Sequence, residues 1–205
     1  MKENLRYYFK NNIKEYIIIS IIFLIGIIIG VMVINNSGEE QSEEVRGYVE
    51  SIIKNVKEED NIDSNEVFLK KVKSNLSFIL LCGVLGSTII GIPVLLILIG
   101  YKGFSLGYTI SSIMASSSEI NKGIWFSICS LLLQNIFFIL AIFIIGVSGI
   151  NLCKYIISRD KRENIKFEII KYIFFLLIAS CLVIIASLAE GYISVNLIKI
   201  FKKNF

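Results

Sequence analysis

The sequence predicts an all-α fold: a polytopic integral membrane helical bundle of five transmembrane helices with one extracytoplasmic helical loop. Three observations carry this. The 205-residue chain is 55% hydrophobic, above the roughly 45–50% of a soluble domain, with a mean hydropathy of +0.71. Its apolar residues are gathered into long runs of Ile, Leu and Phe, as membrane spans require. The stretch from Gly91 to Gly107 joins two apolar segments through Gly100-Tyr-Lys-Gly103. That is the pattern of a membrane hairpin, because lipid offers no partner for loose backbone N–H and C=O groups.

Other classes fit poorly. The net charge of +4 is spread over termini and loops, whereas a nucleic-acid binder gathers its charge on one face. No partner of that kind is implied. The chain has no His, which removes the commonest general base and metal ligand. Of the four cysteines, Cys82, Cys129 and Cys181 fall in apolar runs and Cys153 in a basic stretch. They lack metal-ligand spacing and read as small packing residues. No cofactor is implied.

Residues 1–15 form a basic tail with Lys2, Arg6, Lys10 and Lys14. Residues 16–34 are an unbroken apolar run that reaches about 29 Å as a helix, one hydrocarbon core. The run is too long for a signal-peptide core and is followed by no small-x-small cleavage site, so it reads as an uncleaved first span. Gly26 and Gly30 within it are a small-xxx-small pair that lets another helix approach closely.

Residues 35–75 are the one sizeable polar segment. Val45, Tyr48, Val49, Ile52, Ile53 and Val56 recur at helical spacing and make an amphipathic helix. Ser42 is its N-cap candidate, with Glu43 and Glu44 in the first turn. Asp63 and Glu66 have capping-box spacing for the next helix. The face formed by Val45, Val49, Ile52 and Ile53 is a candidate partner-docking surface; the alternative is a connector lying over the bundle or the lipid.

Residues 76–201 hold four further helices. The second span runs from Leu76 to Ile99, with Gly83, Ser87 and Gly91 at four-residue steps on one face. Pro93 is expected to kink it. After the turn at 100–103, Gly103, Gly107, Ser111 and Ala115 repeat the same spacing on a shorter third segment, which either spans or re-enters. The two small-residue stripes are expected to pack against each other or a shared neighbour, and they offer a route to self-association. Ile124 to Val147 is the fourth span, with Trp125 as interfacial anchor. Gln134 and Asn135 lie near its middle, where amides must face other helices. A basic loop at 148–168 leads to the fifth hydrophobic run, which Glu190 interrupts, and residues 202–205 form the tail. Five spans put eleven of the 21 Lys and Arg on the amino-terminal side, and four spans only eight. The positive-inside rule therefore favours five, with the amino terminus cytoplasmic and the carboxyl terminus outside.

No GxSxG, HExxH, Walker A or Rossmann fingerprint is present, and no pair of carboxylates is set apart as a catalytic couple. The residues point to no enzyme. A small transporter or channel lined by Gln134, Asn135 and Glu190 stays open as an alternative.

The order and spacing of Gly91-Ile-Pro93, Lys102-Gly103 and Gly107, with Gln134-Asn135 and Ala189-Glu190 further on, resemble the stage II sporulation protein M family from about residue 8 to 200. Where that family would carry a proline before the Gln-Asn pair, this chain has Leu133. The resemblance implies a non-catalytic membrane scaffold of the engulfment machinery, on the mother-cell side of the sporulation septum. There it would hold a lytic transglycosylase and an amidase/endopeptidase that degrade septal peptidoglycan.

Overall fold

A computed structural model describes residues 10, 12–36, 64–115, 122–158 and 165–188, without the side chains of 64, 66, 67, 113, 115 and 122–134. The described residues form five helices: α1 (Ile13–Asn35), α2 (Ser64–Gly86), α3 (Gly91–Ala115), α4 (Lys122–Ile157) and α5 (Ile165–Leu188). There is no strand among them. Four helices, α1, α3, α4 and α5, are long and apolar enough to cross a bilayer. The chain is therefore a multi-pass membrane protein. In α2 the opening turns carry Lys70, Lys71 and Lys73, and continuous apolar sequence begins only at Leu76.

Helix directions follow from which residues meet. Asn12 pairs with Asn151 and Phe23 with Phe143. Numbers rising on α1 fall on α4, so the two are antiparallel. Gly26 faces Gly100 and Gly30 faces Phe104, so α1 and α3 run parallel. Phe78 meets Phe138 and Gly86 meets Gly149, making α2 and α4 parallel. Asn75 meets Ser187 and Gly83 meets Leu176, making α2 and α5 antiparallel. The five helices thus alternate in direction. The α2–α3 turn lies at the end where α1 begins, and α2 begins at the end where α1 finishes.

The core is apolar and shared by all five helices. It includes Ile19 of α1, Ile79 and Cys82 of α2, Leu95 and Ile99 of α3, Ile142 and Ile145 of α4, and Ala179 and Val183 of α5. On α1 the buried positions are Glu15, Ile19, Phe23, Gly26, Gly30 and Ile34, steps of three and four that define one face. The opposite face, with Ile17, Ile21, Leu24 and Ile28, is about half exposed, as a lipid-facing surface should be.

The hairpin lies elsewhere than the sequence suggested. Helix α2 stops at Gly86, residues 87–90 turn, and α3 runs unbroken from Gly91 through Gly100-Tyr-Lys-Gly103 to Ala115. Pro93 therefore introduces no kink. It is the third residue of α3, and the first four N–H groups of a helix have no intrahelical partner to lose. The turn is built by hydroxyls: Ser87 Oγ donates to the Val84 carbonyl (2.7 Å), and Thr88 Oγ1 donates to the Leu85 carbonyl (3.1 Å). Thr88 Oγ1 also accepts from the Gly91 N–H (3.0 Å), satisfying one opening donor of α3. With Lys102 inside a helix, Lys and Arg divide ten to ten between the two ends by connectivity, and charge assigns no orientation.

Helix α4 also departs from expectation. It has 36 residues and runs past Val147 to Ile157, so Cys153 and Lys154 are helical rather than in a loop. Ser148, Gly149 and Asn151 have loop-like composition, yet Ser148 Oγ donates to the Ile145 carbonyl of its own helix (3.1 Å), and the other two serve contacts with neighbouring helices. Gly149 meets Gly86 of α2, where an added Cβ would stand 3.0 Å from the Gly86 Cα. Asn151 Nδ2 donates to Asn12 Oδ1 (3.0 Å). Beside it the buried Glu15, in the first turn of α1, pairs with Lys154 in the last turn of α4. An acid at a helix start and a base at a helix end each suit the local dipole.

The α1–α3 contact leads to a graded prediction. A Cβ on Gly26, Gly30, Gly103 or Gly107 would overlap a backbone carbonyl oxygen of the facing helix, whereas on Gly100 it would find its nearest neighbour, Ile22 Cγ2, at 3.4 Å. Overpacking typically costs about 1–3 kcal/mol. Gly107→Ala and Gly30→Ala should lower unfolding stability in detergent by about that amount, with Gly100→Ala within about 0.5 kcal/mol of the parent. Equal stability of all three variants would contradict the contact.

Candidate functional site

Two kinds of residue give the bundle its specific interior: small residues that allow backbone contact, and polar groups held inside apolar surroundings. The small residues come first, because they set the spacing. Gly26 and Gly30 of α1 interleave with Gly103 and Gly107 of α3. An added Cβ on Gly26 would meet the Gly100 carbonyl oxygen and stand 2.9 Å from the Phe104 nitrogen. On Gly30 it would meet the Phe104 oxygen and stand 2.7 Å from the Tyr108 nitrogen. Gly103 sits on the Phe23 carbonyl and Gly107 on that of Ile27. One turn further on, the buried Ser111 donates from Oγ to Asn35 Oδ1 (3.4 Å). Ala115 ends α3, and its side chain lies outside the described residues.

The other small-residue set does not form one stripe. Gly83 lies in α2, Ser87 in the turn and Gly91 at the start of α3. Gly83 packs on the Leu176 side chain of α5, and its carbonyl accepts a 2.6 Å hydrogen bond from Tyr172 OH. Gly91 abuts Leu85 and Thr88 within the turn. The four-residue spacing across 83–91 was therefore no sign of a shared face, because the helix ends between its members. The two proposed stripes do not meet: that of α3 packs on α1, and Gly83 packs on α5.

Between these contacts lies a cation. Lys102 is central in the apolar span Gly91–Ser112. Its Nζ stands 4.6 Å from the ring centroid of Phe78 (α2) and 4.7 Å from that of Phe138 (α4). The two rings are tilted at 42° with centroids 5.9 Å apart, and both present themselves to the ammonium. An ammonium over an aromatic face gains about 2 kcal/mol or more when desolvated, which offsets part of the cost of a charge in hydrocarbon. Cys82, one turn along α2 from Phe78, is fully buried.

Polar groups gather one turn from the two rings. Asn75 precedes Phe78 by three residues, and its Nδ2 donates to Ser187 Oγ (3.3 Å). Ser187 is itself fully buried and donates to the Val183 carbonyl (2.9 Å). Asn135 precedes Phe138 by three residues and is half-buried. Gln134 is helical, but its side chain lies outside the described residues, as do Glu190 and the docking candidates Val45, Val49, Ile52 and Ile53. Asn75 and Ser187 escaped sequence reasoning as interior polar residues, and Lys102 was assigned to a turn rather than to the middle of a helix. The available signal was Lys102 itself, a lone cation within an apolar stretch, which the neighbouring glycines made look like a turn.

The arrangement holds helices together around a charge. Among the described residues no group of three or more His, Cys, Asp or Glu could hold a metal ion. In comparison with protein families, the sequence model described as Stage II sporulation protein M matches residues 19–195. No curated protein matches, and no solved structure does.

A double-mutant cycle tests the clamp. Phe78→Ala should destabilise by about 3–5 kcal/mol, as large-to-small core changes do. Part of that loss comes from the ring–ammonium contact. In a Lys102→Met background, which keeps the stem and removes the charge, the cost of Phe78→Ala should fall by about 1–2 kcal/mol. A coupling near zero would show that the ring serves only to fill space.

Proposed function

The chain belongs to the stage II sporulation protein M family, and on that premise we propose that it is a non-catalytic membrane scaffold of the sporulation engulfment complex. The family makes it a sporulation-related membrane protein. The finer reading is that it recruits a lytic transglycosylase and an amidase/endopeptidase and anchors them at the septum. Those enzymes then cut septal peptidoglycan ahead of the migrating mother-cell membrane.

The observation that carries this reading is that α1 is fixed at the end where residues 37–63 leave it, and α2 at its middle, eleven residues after Ser64. Helix α1 is locked to α3 by glycine–backbone contacts out to Asn35 and Ser111. Helix α2 is tied to α5 through Asn75 and Ser187. A segment held between two anchored helices is restricted in where it can present a face, which lowers the ordering cost of binding a partner. The amphipathic pattern of Val45, Val49, Ile52 and Ile53 supplies an apolar face of the kind that helix-in-groove recognition uses.

Pull-down from sporulating cells tests the proposal. The parent protein should retain both hydrolases, and the triple variant Val49→Glu, Ile52→Glu, Ile53→Glu should lose them while still inserting into the membrane. Retention of both enzymes by that variant would place docking elsewhere. Solute flux through liposomes containing this protein alone, lost in Glu190→Gln, would replace the scaffold with the channel reading.

A further inference from the structure

The outward face of α2 changes character along its length. Lys70, Lys73, Ser77, Leu81 and Val84 follow one another at steps of three and four, so they share one face. All are exposed, Leu81 by 49% and Val84 by 68%. The lower part of this stripe is apolar and suits acyl chains; the upper part is cationic. Lys71, also exposed, widens the cationic part around the helix.

The depth of the change can be fixed against a neighbour. Asn75 is hydrogen-bonded to Ser187 of α5, the last residue but one of the apolar span Ile165–Leu188. The Asn75 level therefore marks the rim of the hydrocarbon layer. At 1.5 Å per residue, Lys73 lies about 3 Å and Lys70 about 7.5 Å further along α2. The headgroup layer on each face of a bilayer is roughly 5–7.5 Å thick. Lys70 and Lys73 thus stand at phosphate depth on one outward face, with Lys71 about 100° further round the helix, and their long stems can adjust to individual headgroups.

We propose that Lys70, Lys71 and Lys73 form a binding site for anionic phospholipid headgroups at the rim of the bundle. The site selects lipids by the charge of the phosphodiester in a headgroup that carries no compensating cation. It also accounts for the cations at 70–73, where α2 passes through the headgroup layer before its second half enters the bundle. The inference does not depend on the family assignment.

Native mass spectrometry of the full-length protein released from nanodiscs of equal phosphatidylglycerol and phosphatidylcholine tests it. The parent should retain phosphatidylglycerol in preference to phosphatidylcholine. Neutralising all three positions (K70Q, K71Q, K73Q) should reduce that preference by about fivefold per lysine. The arginine triple (K70R, K71R, K73R) should keep it, and helical content should be unchanged in both. The proposal is overturned if the glutamine triple keeps the parent's preference or if the parent shows none. It is also overturned if soluble poly(glycerol phosphate), added without bilayer, binds the parent as tightly as the lipid does.

Discussion

The structure depends on how closely two backbones can approach. Between helices in lipid there is no hydrophobic force of the kind that folds soluble proteins, because acyl chains are as apolar as leucine. What remains is van der Waals packing, and that falls off within an ångström of contact. Helices α1 and α3 meet with glycines on both sides, so that carbonyl oxygens of one lie where Cβ atoms of the other would otherwise be. The same device recurs where Gly86 of α2 meets Gly149 of α4. These are two separate helix pairs with two glycine crossings, and the larger apolar side chains fill the space that the crossings define.

Such close pairs leave little freedom to adjust, which bears on where polar groups occur. Asn12, Glu15, Asn151 and Lys154 tie α1 to α4 at one end. At the other end Asn35 with Ser111, and Asn75 with Ser187, tie the helices on either side of residues 37–63. Lys102 is the exception, a cation well inside the bundle with aromatic rings on two sides. Its contacts join α2, α3 and α4 at the level of the α1–α3 glycine crossing.

The all-helical class and the first span were legible because they rest on run length and composition, which lipid constrains strongly. The pair Gly26 and Gly30 was legible for the same reason. The hairpin position was not. Gly100-Tyr-Lys-Gly103 has the composition of a turn, and Gly86-Ser-Thr-Ile-Ile-Gly91 reads as a helix with small residues on one side. The choice between them is made by tertiary contacts. Gly103 is needed against Phe23, and Ser87 and Thr88 can supply hydroxyls to a helix end. A proline three residues into α3 reads as a kink or as a helix start depending only on where the preceding helix stops. The end of α4 was misplaced for a related reason, since small and polar residues at a helix crossing look like a loop until the partner helix is known.

That extended α4 has one more consequence. From Ile124 to Cys153 the chain carries no charged residue, and the whole of that stretch lies within one helix. Thirty uncharged residues make a rod about 45 Å long, half as long again as the roughly 30 Å hydrocarbon layer. Hydrophobic mismatch of this size is relieved by tilting the rod or by thickening the surrounding lipid, at a cost that grows with every ångström. The protein is thereby coupled to bilayer thickness itself, a property of the membrane as a material rather than of any molecule dissolved in it.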